Sequence, residues 1–282
     1  KDFDVCISLD LDEVLEPGWR EEIERLWVPG TTRLRYRYDW GSGIQFHYEK
    51  IHNRLDYYWK YPAHEYVFMD PRKTETKAYT DKLLVTHHPD KNKPRSQYLD
   101  LLRLGVLEDP SSHRALFYYG RELYFYRNWA ECIPIMLKYL ANPLAVWHSE
   151  RSYAMRVIGK CFDQLNKPEK AVEWYEKAAK EEPTAREPWY ELASAYYKKK
   201  AWKECFEACE KGIAITTPLQ THTANPEVWK EHLYDLASIA GWHIGQRQKA
   251  LDYCKTAVKI APADARIAAN LAMMMQETEQ VE

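Results

Sequence analysis

Residues suited to close helix packing recur along the second half of the chain at a fixed separation of 34 positions. Gly159, Ala171, Tyr175, Ala178 and Pro183 are answered by Ala193, Cys205, Cys209, Gly212 and Thr217. A third copy reads Ser238, Ala250, Cys254, Ala257 and Pro262, 45 positions after the second, so 11 residues are inserted at about Thr216 to Pro226. An earlier and weaker copy reads Gly120, Cys132, Met136 and Tyr139, closed by Pro143. A period of this length means that each copy is one supersecondary unit that buries its apolar face only by stacking on its neighbours. Small residues are needed where two helices cross closely, and Phe162, Tyr175 and Tyr196 fill the space beside them. Proline after the second helix of a pair stops it before the next copy begins.

This spacing and choice of residues resemble the tetratricopeptide repeat family from Ser111 to about Ile267, most strongly in the copy that begins near Ser152. The resemblance implies an all-α superhelix of antiparallel helix pairs over residues 111–282. Ala263 to Met275 would form a capping helix, with Glu277 to Glu282 frayed. Such stacks present a groove to a peptide or protein partner, or else simply extend a neighbouring domain. Tyr118, Arg121, Arg156, Tyr190 and Tyr197 could line a groove, and each suits repeat packing equally well.

The first 95 residues follow a different pattern. Val5 to Leu9 is a short apolar run of the kind expected of a buried parallel strand. Trp19, Ile23, Leu26 and Trp27 share one helical face, and Pro29-Gly30 ends that helix. Leu34, Tyr36 and Tyr38 alternate with Arg33, Arg35 and Arg37, as in a half-exposed strand. Further strands are expected around Gln45–Lys50 and Lys82–Thr86. The fold class is therefore α/β followed by all-α: an α/β domain over residues 1–94, a linker or helix over 95–110, then the repeats.

Asp10 and Asp12 follow the first strand and lie on the same side of an extended chain. In open α/β sheets this edge is where ligands bind. Two carboxylates aimed at one point repel each other unless a cation intervenes, and a hard divalent ion suits them. An acidic turn that caps the next helix accounts for the same residues.

Ser8-Leu9-Asp10-Leu11-Asp12-Glu13 and Pro17-Gly18-Trp19 resemble the DxD segment of family 2 glycosyltransferases with a GT-A fold. Lys50 to Arg54, Trp59 and His64-Glu65 look like later parts of that domain. The resemblance implies inverting transfer of a sugar from a nucleotide-sugar donor to an acceptor of unknown identity. It implies Mn²⁺ or Mg²⁺ held by Asp10, Asp12 and His87 or His88, with donor binding at Asp10 and Asp12. Glu65 would be the base on the acceptor, and His64 would orient it. Trp40 and Trp59 suit either sugar stacking or core packing. The part of such a domain that holds the nucleotide base would precede Asp10. The chain instead opens at Lys1-Asp2-Phe3-Asp4 without an initiator Met, which reads as a cut from a longer polypeptide. The competing expectation is a non-catalytic interaction module built on the repeats.

A net charge of −2 gives no global field for nucleic acid or an anionic membrane. No apolar run is long enough to span a bilayer. The six cysteines form no CxxC pair; Cys205 and Cys209 share a helix face and read as small-residue packing. A reduced, cytoplasmic setting is the expectation.

Overall fold

The computed structural model describes residues 5–89 and 97–279. They form two compact units, one running to Tyr119 and including Gln220–His222, the other comprising Gly120–Leu219 and the chain from Thr223 onward. The boundary expected at residues 94 and 95 lies outside the described residues.

The first unit holds β1 (Val5–Ile7), β2 (Glu13–Leu15), α1 (Trp19–Leu26), β3 (Arg33–Gly41), β4 (Ile44–Asn53), β5 (Tyr57–Lys60), β6 (Tyr66–Met69), β7 (Lys77–His87) and α2 (Tyr98–Glu108). Five strands pair in the order β1-β4-β3-β7-β2, and β5 with β6 makes a separate hairpin. Only β3 and β7 run parallel; the other pairs are antiparallel. Leu34, Tyr36 and Tyr38 fill the core from the central strand, with Ile51, Leu83 and Val85 beside them and Ile23 of α1 packed on top. Each such side chain contributes roughly 1.5–3 kcal/mol by leaving water.

One expectation is corrected here. The run from Val5 does not make a buried parallel strand; β1 is a three-residue, half-buried edge strand, antiparallel to β4. The five-stranded sheet of the described residues is mostly antiparallel, with β3 and β7 its one parallel pair. The reason lies in the connections. Parallel neighbours need a crossover of about a dozen residues or more, whereas β3 and β4 are joined through Ser42 and Gly43, both at positive φ (54° and 80°). That geometry makes a tight hairpin. The expected strands around residues 45–50 and 82–86 are the middles of β4 and β7, and the helix expected from Trp19 is α1.

The next helix, α3 (His113–Phe125), leads into α4 (Trp129–Ala141), α5 (His148–Gln164), α6 (Pro168–Glu181), α7 (Arg186–Lys198) and α8 (Trp202–Ile213). After the insertion come a 3-10 turn (Pro226–Trp229), α9 (His232–His243), α10 (Arg247–Ile260) and the capping helix α11 (Ala265–Glu279). Within the second unit, α5 packs on α6, α7 on α8 and α9 on α10, each as a hairpin. The periodic small residues sit where these helices cross. A Cβ on Gly159 would lie 2.5 Å from the Tyr175 ring, and one on Gly120 would lie 3.0 Å from Met136. Ala193, Cys205, Cys209, Ala250, Cys254 and Ala257 are all buried. Five of the six cysteines are therefore packing residues. The frayed end expected from Glu277 is still helical to Glu279. Among the described residues no helix is long and apolar enough to cross a membrane.

Candidate functional site

The acidic turn after β1 is held by one buried lysine. Lys50, near the end of β4, places its Nζ 3.0 Å from Asp10 Oδ2 and 3.0 Å from Glu13 Oε1. Glu13, at the start of β2, is itself buried and accepts bonds from the Tyr38 hydroxyl at 2.8 Å and from the Asp10 amide at 2.9 Å. Burial acts to lower the Lys50 pKa, but the Tyr48 oxygen and the Asp10 and Glu13 carboxylates outweigh it, so the ammonium is held above its ordinary range. Burial, with Glu13 as acceptor, raises the Tyr38 phenol. Asp10 thus has a protein cation as its partner.

Asp12 is met by a different residue. His87, at the end of β7, brings Nε2 to 3.3 Å from Asp12 Oδ2, and its neighbour His88 donates its backbone amide to the Asp12 carbonyl at 2.7 Å. The β2–β7 pairing, with Glu13 opposite His87, sets this meeting across 75 residues of sequence. Trp40, half exposed on β3, stacks on the His87 ring at 4.4 Å. The four residues Asp10, Asp12, His87 and His88 do not converge as a set. Asp10 is drawn to Lys50, the His88 side chain is exposed, and only Asp12 and His87 pair. Among the described residues no group of three or more His, Cys, Asp and Glu is placed to hold a metal ion. A carboxylate and an imidazole side by side fit part of a hard-cation site and leave its other positions to a ligand or water.

His64 and Glu65 sit in the turn before β6. His64 adopts a left-handed backbone (φ 51°), its carbonyl accepts from Arg114 at 3.1 Å, and its ring stacks on Tyr118 at 4.1 Å. Arg114 lies over both Tyr66 and Tyr118. The space among these residues and Leu101, Leu102 and Gly105 is about 10 Å³, the room of about one water. Glu65 is exposed. The His64 ring is thus held by packing, and Glu65 faces water beside it. Trp59 is also half exposed.

In the second unit the first helices of successive pairs (α5, α7 and α9) pack more closely on one another than the second helices do. They make one continuous face, and polar side chains on it bond to main-chain groups. Arg156 of α5, buried and stacked on Tyr153, reaches the Thr223 carbonyl at 3.3 Å. Glu187 of α7, equally buried, accepts the Asn225 amide at 2.8 Å. The Arg186 guanidinium carbon lies over the Trp229 ring, 4.0 Å from its centroid, and Arg186 donates to the Ile215 carbonyl at 2.9 Å. Arg156 stood among the groove candidates; Glu187 and Arg186 did not. The available signal was the Arg-Glu-Pro start of α7 opposite an insertion that needs anchoring.

Residues 157–184 match the family model described as tetratricopeptide repeat. The helical stack is a tetratricopeptide repeat fold. No curated protein matches the chain. Among solved structures it is similar to MamA, at 16% identity over 63% of this chain and 98% of that one, with a TM-score of 0.48. It is also similar to Pseudomonas aeruginosa pilF, at 18% identity over 63% and 72% of the two chains, TM-score 0.48. A third is YrrB, described as a TPR protein with an unusual peptide-binding site, at 16% identity over 63% and 83%, TM-score 0.47. Likeness at this level says nothing about what the chain binds.

Proposed function

We propose that the chain is a protein-interaction module whose tetratricopeptide stack takes an extended peptide segment on the face made by α5, α7 and α9. The observation that carries this reading is the pair of buried polar side chains, Arg156 and Glu187, that bond to peptide main-chain groups from helices of two successive repeats. A buried guanidinium or carboxylate without such a partner is costly, so the face is built to hold peptide. A fluorescence-anisotropy screen of extended synthetic peptides against the full chain tests it. At least one peptide is expected to bind with Kd in the tens of micromolar, on the order of 6 kcal/mol. Binding should fall at least about tenfold in Arg156→Ala and in Glu187→Ala. No binding at all, or binding indifferent to both substitutions, removes the reading.

A second reading is favoured by the contact between Asp12 and His87. It pairs two residues that the resemblance to family 2 glycosyltransferases had already joined, through a strand register that spacing alone does not reveal. On this reading the first unit is the later part of such a domain, acting on a nucleotide sugar and an acceptor. Asp12 and His87 would hold a divalent ion, Mn²⁺ or Mg²⁺, with Asp10 and His88 beside them; the ion would supply charge to offset that of a departing diphosphate. Glu65 would accept the acceptor's proton, its exposure leaving it open to a substrate, while His64 fixes the turn that carries it. Titration with Mn²⁺ alone, followed by electron paramagnetic resonance, checks the metal pair. Binding that is at least about tenfold weaker in both Asp12→Ala and His87→Ala is expected, and binding unchanged in both rejects it.

A further inference from the structure

Three side chains of the first unit bring one donor atom each to a single point on the solvent face of the sheet. His47 Nε2 lies 3.0 Å from Asp81 Oδ1 and 2.7 Å from the Tyr79 hydroxyl, which is itself 2.9 Å from the same Asp81 oxygen. His47 belongs to β4 and the other two to β7, and β3 lies between those strands. Strands so placed stand roughly 9–10 Å apart, so a meeting across β3 has to be built. A bulge in β7 builds it: the step from Arg35 to Arg37 on β3 is matched by the longer run from Tyr79 to Leu84 on β7. Thr80 and Leu83 of that run are buried, while Asp81 stays outside. Bulges are rare between parallel strands, and where they occur they re-aim side chains.

We propose that His47, Tyr79 and Asp81 form a three-ligand site for a ferric ion. Hydrogen bonding accounts for the cluster only in part. With the carboxylate ionised, the triangle contains at most a phenol proton and an imidazole proton for its three short contacts. At least one contact therefore has no hydrogen along it. A cation suits the arrangement better. Two donors at right angles, each about 2.1 Å from a metal, stand about 3.0 Å apart. The three atoms thus make one face of an octahedron.

The donor set selects the ion. A phenolate and a carboxylate are hard, anionic ligands, and the imidazole is one that iron accepts readily and Mg²⁺ or Ca²⁺ does not. Before an ion arrives, Asp81 keeps the Tyr79 phenol protonated by accepting its bond, while Arg35 and Arg37 pull the other way. The two arginines also repel a cation, so an ion gains only if its bond to phenolate is strong. Fe³⁺ meets that condition, and its binding sends the phenol proton to solvent. The His47 side chain, 13% exposed, anchors the site, whereas Asp81 is 64% and Tyr79 52% exposed. The coordination positions opposite the triad therefore open to water or to a small anion. No residue is shared with the Asp12–His87 contact, and the site rests on neither function proposed above.

The probe is ferric nitrilotriacetate, titrated into the full chain and followed by visible absorption. Tyrosinate bound to Fe³⁺ gives a charge-transfer band there, which neither a carboxylate nor an imidazole produces. A band that saturates at a single ion per chain is expected, and Tyr79→Phe should abolish it. Asp81→Asn and His47→Gln should each weaken binding at least about tenfold, since even an outer partner of a metal ligand commonly contributes that much. Asp12→Ala should leave the band unchanged. No band, a band that survives Tyr79→Phe, or one indifferent to both Asp81→Asn and His47→Gln overturns the proposal. Loss of the band in Asp12→Ala overturns it too, by placing the ion elsewhere. Of the three ligands only His47 is packed closely enough for its variant to disturb the fold. If circular dichroism shows that it does, Tyr79→Phe and Asp81→Asn decide. Failure of Mn²⁺ to bind at Asp12 and His87 does not bear on this outcome.

Discussion

Forty residues separate Lys50 from Asp10 and 37 separate it from Glu13, yet these three meet at 3.0 Å in the sheet unit. In the helical unit the contacts that decide packing are made by neighbouring helices, as when Gly159 of α5 lets the Tyr175 ring of α6 approach. One core is organised around buried charge and long-range strand pairing, the other around residue size repeated at a short period. Errors should therefore behave differently in the two. A size error in the stack is relieved by small shifts of one helix on another. A charge error in the sheet leaves an ion without its partner.

The largest effect is expected from Lys50→Met. It would strand Glu13, which is 8% exposed and shares its remaining capacity with Tyr38 and the Asp10 amide. Removing one member of a buried pair costs about 3–5 kcal/mol. Chemical denaturation checks this, and adding Glu13→Leu should restore a large part of the loss. If Lys50→Met proves neutral, the contrast between the units disappears.

That contrast also explains what could be read from the sequence. The repeat was legible because a helix pair is a local object: Gly159, Ala171, Tyr175 and Ala178 lie within one copy, and their spacing already states which atoms must approach. Helix α1 was legible for the same reason, as were the middles of β4 and β7. The sheet order was not, because strand partners are chosen by connection geometry and by register across long stretches. Val5 to Ile7 is apolar enough for a central strand, but the hairpin at Ser42-Gly43 gave the centre to β3. Asp12 and His87 were brought together by resemblance, whereas Lys50, which takes Asp10, carries no signal in its spacing. Burial of Glu187 depends on an insertion 29 or more residues further on, and nothing local announces it.

Gly159→Ala probes the stack directly. Its Cβ would fall 2.5 Å from Tyr175 Cε1 and 2.8 Å from Cδ1, so the ring or the helix must move. Overpacking of this kind costs about 1–3 kcal/mol. At the equivalent position of the next copy the residue is already Ala193, where Ala193→Gly should cost only about 1 kcal/mol through helix propensity. Thermal unfolding of the two variants checks whether equivalent positions respond with opposite preferences.

The units should also separate along the pH axis. In the first unit, burial chiefly depresses the pKa of His52, and burial with the nearby Arg114 depresses that of His113. Both stay neutral in the fold where the unfolded chain would take up protons. As pH falls through about 6.5, the ordinary histidine value, the unfolded state binds more protons and the first unit loses stability. In the stack, burial opposes the shift of Glu181, but its bonds to Arg151 and His148 outweigh burial and hold it below 4.5. That contribution is present above pH 4.5 and lost below it. Between pH 6.5 and 4.5 the protection factor at Ile51, corrected for the intrinsic slowing of exchange in acid, should therefore fall while that at Ala178 holds, and His52→Gln should flatten the response at Ile51. Equal loss of protection at both amides would mean that the two cores do not answer to different charges.

The smallest informative change lies at the end of the stack, where charge rather than size does the holding. Arg266 of α11 donates to both oxygens of Asp235 on α9, at 3.0 and 2.8 Å, and Asp235 is largely buried while Arg266 is about half exposed. Arg266→Lys keeps the charge and removes the planar fork, so the loss measures geometry alone. With one partner in solvent, about 1 kcal/mol is expected. This pair spans 31 residues, so it can be set beside the long-range pairing of the sheet. A loss near that of Lys50→Met would show that the capping helix obeys the sheet's rule. A loss of about 1 kcal/mol would show that exposure, not sequence separation, sets how much a charge pair contributes in this chain.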